Sequence, residues 1–338
     1  MMASVTERPV ARRAPVVWQS HRRGTVVGLA VVGALTLAGC LVPSIGLSNY
    51  AMTIVYTVAF FTAVGQSWNI ISGFTGYVSF AHGALIGLGS YAGIIASNAG
   101  AGFGGAILAG MAAALVASMV IGLPSLRLHG IAFAFATIFF QAAALLLAQK
   151  MAWITGGPQG LASKVLQPMS SLVVAMVLVA GVATVLVVLL RHARPGLQLL
   201  SIREDEVAAS VSGVPTVRLK LTAFAVSSLF AGAAGAVHGF FLATVFPPSV
   251  FSVQSSVEPL VISLVGGMGT AFGAPAMAVV YAVSQELLTN LGSELQLALL
   301  GLVLVVVVLA APEGLAGLVR RLVTRVRRRR PQGEGAGS

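Results

Sequence analysis

From residue 25 to residue 311 the chain is a succession of apolar runs, most close to the ~20 residues a helix needs to cross the hydrocarbon core of a bilayer. The runs cover 25–46, 50–72, 78–98, 101–123, 130–149, 171–190, 219–243, 258–273, 275–291 and 294–311. This spacing predicts an all-α fold, a polytopic membrane bundle of about ten transmembrane helices with eight as the lower bound. The run 258–273 is short, and Gly266, Gly267, Gly269 and Gly273 interrupt it, so a broken or re-entrant helix is expected there. Only 9% of the residues are charged, where a soluble domain carries about 25%. The 39 glycines fit the same class, because glycine is commoner in membrane helices than in soluble ones. A single cysteine, Cys40, excludes an intrachain disulfide framework and any multi-cysteine metal site.

A net charge of +11 could suggest a nucleic-acid partner, but its distribution argues against one. Five arginines precede residue 25, seven follow residue 319, and the run Arg327–Arg330 has no interleaved aromatics of the kind a single-strand-binding surface uses. Basic segments flanking apolar spans follow the positive-inside rule. With an internal N-terminus and ten alternating crossings, 18 of the 20 basic residues fall inside and only Lys150 and Lys164 outside. Both termini are therefore expected in the cytoplasm. The expected organisation is a basic cytoplasmic segment 1–24, a membrane domain 25–318 with a cytoplasmic loop 191–218, and a basic, disordered tail 319–338 near anionic headgroups. Leu37-Ala38-Gly39-Cys40 has the form of a lipobox, but its apolar run continues to about residue 46 and reads as a span.

The loop between the spans ending at 190 and beginning at 219 holds Glu204, Asp205 and Glu206, a third of the acidic residues. Ser201 with Glu204 three residues later forms a capping-box pattern, and Gly213 followed by Pro215 supplies a stop. A short helix of about ten residues from Ile202 is expected, too short to span and too polar for a core. Such an element is either a solvated surface helix or a docking lever for a soluble partner.

The stretch from Ser201 to Ala236 resembles the coupling segment of branched-chain amino acid ATP-binding-cassette transporter permeases of the Liv M type. The matching positions are Arg203, Glu204, Asp205, Glu206, Ala208, Ala209 and Gly213. Residues 68–92, the segment Thr155–Leu161, Gly266–Thr270 and Pro312–Leu315 resemble further pieces of the family in order, so the resemblance covers about 50–320. It implies alternating access driven by ATP hydrolysis on two cytoplasmic ATPase subunits. It further implies a second, related permease chain, an extracytoplasmic solute-binding protein, and no cofactor in this chain. The residues agree with that division, because no lysine follows a glycine and no G-x-x-x-x-G-K-[ST] phosphate loop exists.

Polar groups inside a bilayer are costly and face the bundle interior. Gln66, Asn69, Ser79 and His82, with Gly73 and Gly76 between them, are the candidate substrate-path residues; the alternative for each is helix packing. Ser79 and His82 would share a helix face, yet a dyad within one turn leaves no room for a substrate, so an intramembrane hydrolase is disfavoured. An ion-coupled secondary transporter would need intramembrane charges; Glu258 and Glu286 are the available ones and read as boundary or structural residues. A permease of the same fold for urea, short amides or another small solute remains the alternative cargo reading. A loose echo links 73–97 with 264–288, each a glycine-rich stretch leading to a tyrosine, Tyr91 and Tyr281.

Overall fold

The computed structural model describes residues 22–288 apart from 47 and 129. The expected span 294–311, the end of 275–291, Pro312–Leu315, the tail and most of the basic N-terminal segment lie outside the described residues. The fold is helical. α1 (Arg22–Leu41) runs into a 3-10 turn, followed by α2 (Asn49–Trp68), α3 (His82–Asn98), α4 (Phe103–Ser125) and α5 (Ile131–Lys150). A connection with the short α6 (Ala152–Thr155) and strand β1 (Leu161–Ala162) leads to α7 (Met169–His192). Then come α8 (Arg194–Glu204), α9 (Glu206–Val211), α10 (Thr216–Leu242), β2 (Thr244–Val245), α11 (Pro247–Val250), α12 (Val253–Gly267) and α13 (Gly273–Leu288). Among the described residues, seven helical stretches are long and apolar enough to cross a membrane: 25–45, 49–73, 103–125, 131–150, 169–192, 216–242 and 247–267.

Helices satisfy their own backbone hydrogen bonds, which is what a chain in hydrocarbon requires. Two predicted spans depart from that regularity. After α2 the chain forms a π-turn over Asn69–Gly73, then runs without helix through 76–81 before α3 begins at His82. The run 78–98 is thus a 17-residue helix preceded by open chain. Gly76 makes the exit possible: its φ of +77° is a left-handed conformation that residues with a Cβ rarely adopt. In the later glycine-rich run, α12 ends at Gly267 and α13 restarts at Gly273, so the expected break lies between two helices rather than within one.

α10 is the central helix, packed against α2, α3, α4 and α7. Its contacts with α3 and α4 are made by backbone meeting backbone. A Cβ on Gly89 or Gly232 would collide with main-chain atoms of Gly232 or Gly110 respectively. Small residues give membrane helices the close approach that hydrophobic attraction cannot drive in lipid. Gly232→Val is therefore expected to destabilise the bundle by about 3 kcal/mol or more, as overpacking against rigid backbone does. A sharp loss of monodisperse protein on size exclusion in detergent would register this, and an unchanged elution profile would contradict it.

β1 pairs antiparallel with β2, Leu161 opposite Val245 and Ala162 opposite Thr244. This ribbon ties the 151–168 connection to the chain after α10. It marks one end of the bundle, and the segment 192–216 marks the other.

Candidate functional site

At the end opposite the ribbon the chain leaves the bundle between α7 and α10. The expected single helix starting at Ile202 is two helices. α8 already contains Ser201, whose hydroxyl donates to the Gln198 carbonyl at 2.7 Å and caps nothing. Asp205 holds the cap: it is extended (φ −160°), and its Oδ1 accepts from Val207 N at 2.9 Å and Ala208 N at 3.0 Å. Two causes move the boundary. Leu199 and Ile202 are buried on one face of α8, which carries the helix through Ser201. A carboxylate at the cap also sets a full negative charge against the positive end of the helix dipole. Glu204 is exposed at the end of α8 and takes no part in a capping box. The predicted stop holds, with Gly213 at φ +84° after α9.

α9 has an inner and an outer face. Ala209 is 5% exposed against the bundle, while Val207 and Val211 are 70% and 83% exposed. Ala208 is exposed beside them. Glu206 turns inward. Its Oε1 meets Lys220 Nζ at 2.6 Å, and its Oε2 accepts from the Tyr77 hydroxyl. Lys220, only 1% exposed, also donates to the Tyr77 oxygen at 3.1 Å, and its Nζ lies 4.3 Å from the Tyr77 ring centroid. Taking a lysine out of solvent is expensive unless it is paired and hydrogen bonded, and this one is both. Arg203, on α8, reaches back and donates from Nη1 to the Gly73 carbonyl at 2.9 Å. The loop is thus fastened twice to the chain that follows α2, at Gly73 and at Tyr77.

That chain is where the polar path candidates lie, and they form a packed joint. Asn69 Nδ2 donates to the Thr270 carbonyl at 2.9 Å and to Gln66 Oε1 at 3.1 Å, and its Oδ1 accepts from Gly269 N at 2.7 Å. Gln66 Nε2 donates to the Ala271 carbonyl at 2.6 Å. Two amide side chains from α2 and its π-turn therefore supply the hydrogen bonds that the break at 268–272 gives up, which is the condition for irregular backbone inside a bilayer. Gly73 is hemmed in: a Cβ there would collide with the Asn69 side chain and come within 2.9 Å of Gly269 N. The two glycine-rich stretches with the sequence echo meet at this point.

Ser79 and His82 do not form a pair. Ser79 lies in open chain, so the helical spacing that would align it with His82 is absent. The Ser79 hydroxyl accepts from Ala81 N at 3.3 Å, and its carbonyl accepts from Trp68 Nε1 at 2.9 Å. His82 Nε2 instead lies 2.9 Å from Ser227 Oγ on α10, which is itself bonded to the Ser67 carbonyl at 2.6 Å. Sequence reasoning missed Lys220 and Tyr77. The available signal was a lone lysine just inside the run 219–243, where an unpaired cation has no place.

Toward the ribbon end, a cleft of about 380 Å³ opens beside α2, α10 and α12. None of the six path candidates lines it. Glu258, expected at a span boundary, lies in the second turn of α12 and faces this cleft.

Residues 49–308 match the family described as branched-chain amino acid transport system / permease component. The chain is 30% identical over 303 residues to the high-affinity branched-chain amino acid transport system permease protein LivM of Salmonella typhimurium strain LT2, covering 80% of this chain and 69% of that protein. It is 29% identical, with the same coverage, to the protein of that name from Escherichia coli strain K12. No solved structure matches.

Proposed function

The chain belongs to the branched-chain amino acid transport system permease family, and from that membership we propose that it is the membrane-spanning subunit of an ATP-binding-cassette importer for leucine, isoleucine and valine. It is a multi-pass protein of the inner membrane. Two cytoplasmic ATPase subunits hydrolyse ATP, an extracytoplasmic binding protein delivers the solute, and a second, related permease chain completes the path. Both termini and the 192–216 segment face the cytoplasm, in keeping with the 18-to-2 division of basic residues.

The observation that carries this reading is the double fastening of the capped loop to the broken end of α2. α9 offers Val207 and Val211 to a partner while Glu206 is held from within by Lys220 and Tyr77. Movement of the ATPases would displace α8 and α9 together. Arg203 and Glu206 would pass that displacement to Gly73 and Tyr77, and Asn69 would carry it to the 268–272 break. Gln66, Asn69, Gly73, Gly76, Ser79 and His82 then form the inner seal of the path, opened and closed by the loop. Irregular backbone held by a few side chains suits two discrete arrangements better than an uninterrupted helix does.

The test is co-expression with the neighbouring operon products, purification in mild detergent, and ATPase assay with and without leucine-loaded binding protein. A co-eluting ATPase whose turnover rises with the loaded protein supports the importer. A chain that elutes alone, with no stimulation by any branched-chain amino acid, overturns it. In the same preparation Val211→Asp is expected to cut ATPase recovery about tenfold, since losing burial of one valine is worth ~1.5 kcal/mol. Undiminished recovery would remove the outer face of α9 from the docking surface.

A further inference from the structure

The cleft at the ribbon end has two chemically distinct walls. One is aromatic: Phe60 stacks on the His238 ring at 4.3 Å between centroids, and Tyr56 stacks on Phe241 at 4.2 Å. The Tyr56 hydroxyl lies 3.2 Å from His238 Nδ1, so these two atoms satisfy each other. The other wall is the first turns of α12, carrying Gln254 and Glu258. Glu258 Oε1 accepts from Gln254 Nε2 at 3.0 Å and from the Tyr281 hydroxyl at 3.2 Å, which fixes the carboxyl group in place. Its Oε2 has no hydrogen-bond partner among the described residues, and neither lysine nor arginine lines the cleft. A carboxylate in a membrane-spanning helix is costly without a cation. The described residues that line the cleft supply none. The volume, about 380 Å³, is within the ~300–1,000 Å³ range of small-molecule sites.

We propose that this cleft is a binding site for a small aliphatic ammonium solute, with Glu258 Oε2 taking the ammonium group and the Phe60–Tyr56–Phe241 wall taking the alkyl chain. That the physiological ligand is a branched-chain amino acid rests on the importer reading; the ammonium-plus-alkyl chemistry does not. With no lysine or arginine in the cleft, the solute's carboxylate contributes no ion pair there. The site therefore selects for the amine end of its ligand and lies on the extracytoplasmic side of the seal around Asn69.

Accessibility of a thiol in the cleft tests this in the full chain in native membranes. Cys40→Ser removes the native thiol, and Ser249→Cys places one on the cleft lining. Leucine and isoamylamine, each at ten times its dissociation constant, are expected to slow labelling by a small thiol reagent about tenfold, since the free fraction is 1/(1 + [L]/Kd). Isocaproate, which keeps the alkyl chain and carboxylate but lacks the amine, is expected to leave the rate unchanged. Glu258→Gln keeps the Gln254 and Tyr281 hydrogen bonds and is expected to abolish protection by both amines. No protection by either amine, or equal protection by isocaproate, would overturn the site. Leucine uptake by vesicles carrying the partner subunits reads out the importer separately. Protection without uptake retains the site and rejects the importer, whereas uptake without protection rejects the site and retains the importer.

Discussion

Glu206→Lys is expected to abolish solute uptake while the chain stays inserted in the membrane. The substitution places a second cation where Lys220 Nζ now meets a carboxylate at 2.6 Å, and it removes the acceptor of the Tyr77 hydroxyl. Lys220 is fully buried, so it cannot turn to water for compensation. Breaking a buried pair in this way costs about 3–5 kcal/mol. The segment 205–216 can avoid that cost by coming away from the bundle, which separates α9 from Tyr77 and leaves the ATPases with nothing to push against. Uptake should fall at least about 100-fold, at ~1.4 kcal/mol per decade, and ATPase recovery should fall with it. The exchanged pair, Glu206→Lys with Lys220→Glu, is expected to restore part of the uptake, because opposite charges again face each other beside Tyr77. Normal uptake by the single variant would remove Glu206 from the coupling mechanism. Failure of the exchanged pair alone would mean that Glu206 acts through a partner rather than through Lys220.

The second large effect lies deeper in the bundle and has a different signature. Asn69→Leu keeps the branched shape of the side chain but leaves Gly269 N–H, the Thr270 carbonyl and Gln66 Oε1 without their partner. Each abandoned polar group costs about 1–3 kcal/mol when buried, and the bilayer offers no water in exchange. The joint between the π-turn and the 268–272 break then no longer transmits displacement. The ATPases should still co-purify, since α9 is untouched, but their turnover should no longer respond to loaded binding protein. Uptake should be lost. Comparing the two variants separates docking from transmission: Glu206→Lys loses the partner, and Asn69→Leu keeps it but is uncoupled from it. Substrate-stimulated turnover equal to wild type in Asn69→Leu would show that the joint is only packing.

Much of this was legible in the chain itself. Apolar runs of crossing length, basic residues gathered at the ends and in alternate loops, and the punctuation around Gly213 each carry a local physical cause. So do the polar cluster from Gln66 to His82 and the acidic triplet at 204–206, because charge and polarity stand out against hydrocarbon. Local rules fall short where the burial of distant side chains decides between two equally good signals. Ser201 and Asp205 both qualify as helix caps. The burial of Leu199 and Ile202 extends α8 through Ser201 and leaves Asp205 to cap the next helix. Ser79 and His82 looked like helix neighbours because nothing local announces that the chain stays non-helical until His82.

The sequence alone determined that this chain is a helical membrane bundle and that a short, polar, punctuated loop interrupts it between 190 and 219; these follow from hydropathy, spacing and turn chemistry within a few residues. The tertiary structure alone decided what each polar residue does. Glu206 and Lys220 are 14 positions apart, Asn69 and Gly269 200 apart, and His82 and Ser227 145 apart. A hydrogen bond depends on distance in space rather than along the chain, and in lipid a buried donor is satisfied only where the packing of helices brings it an acceptor.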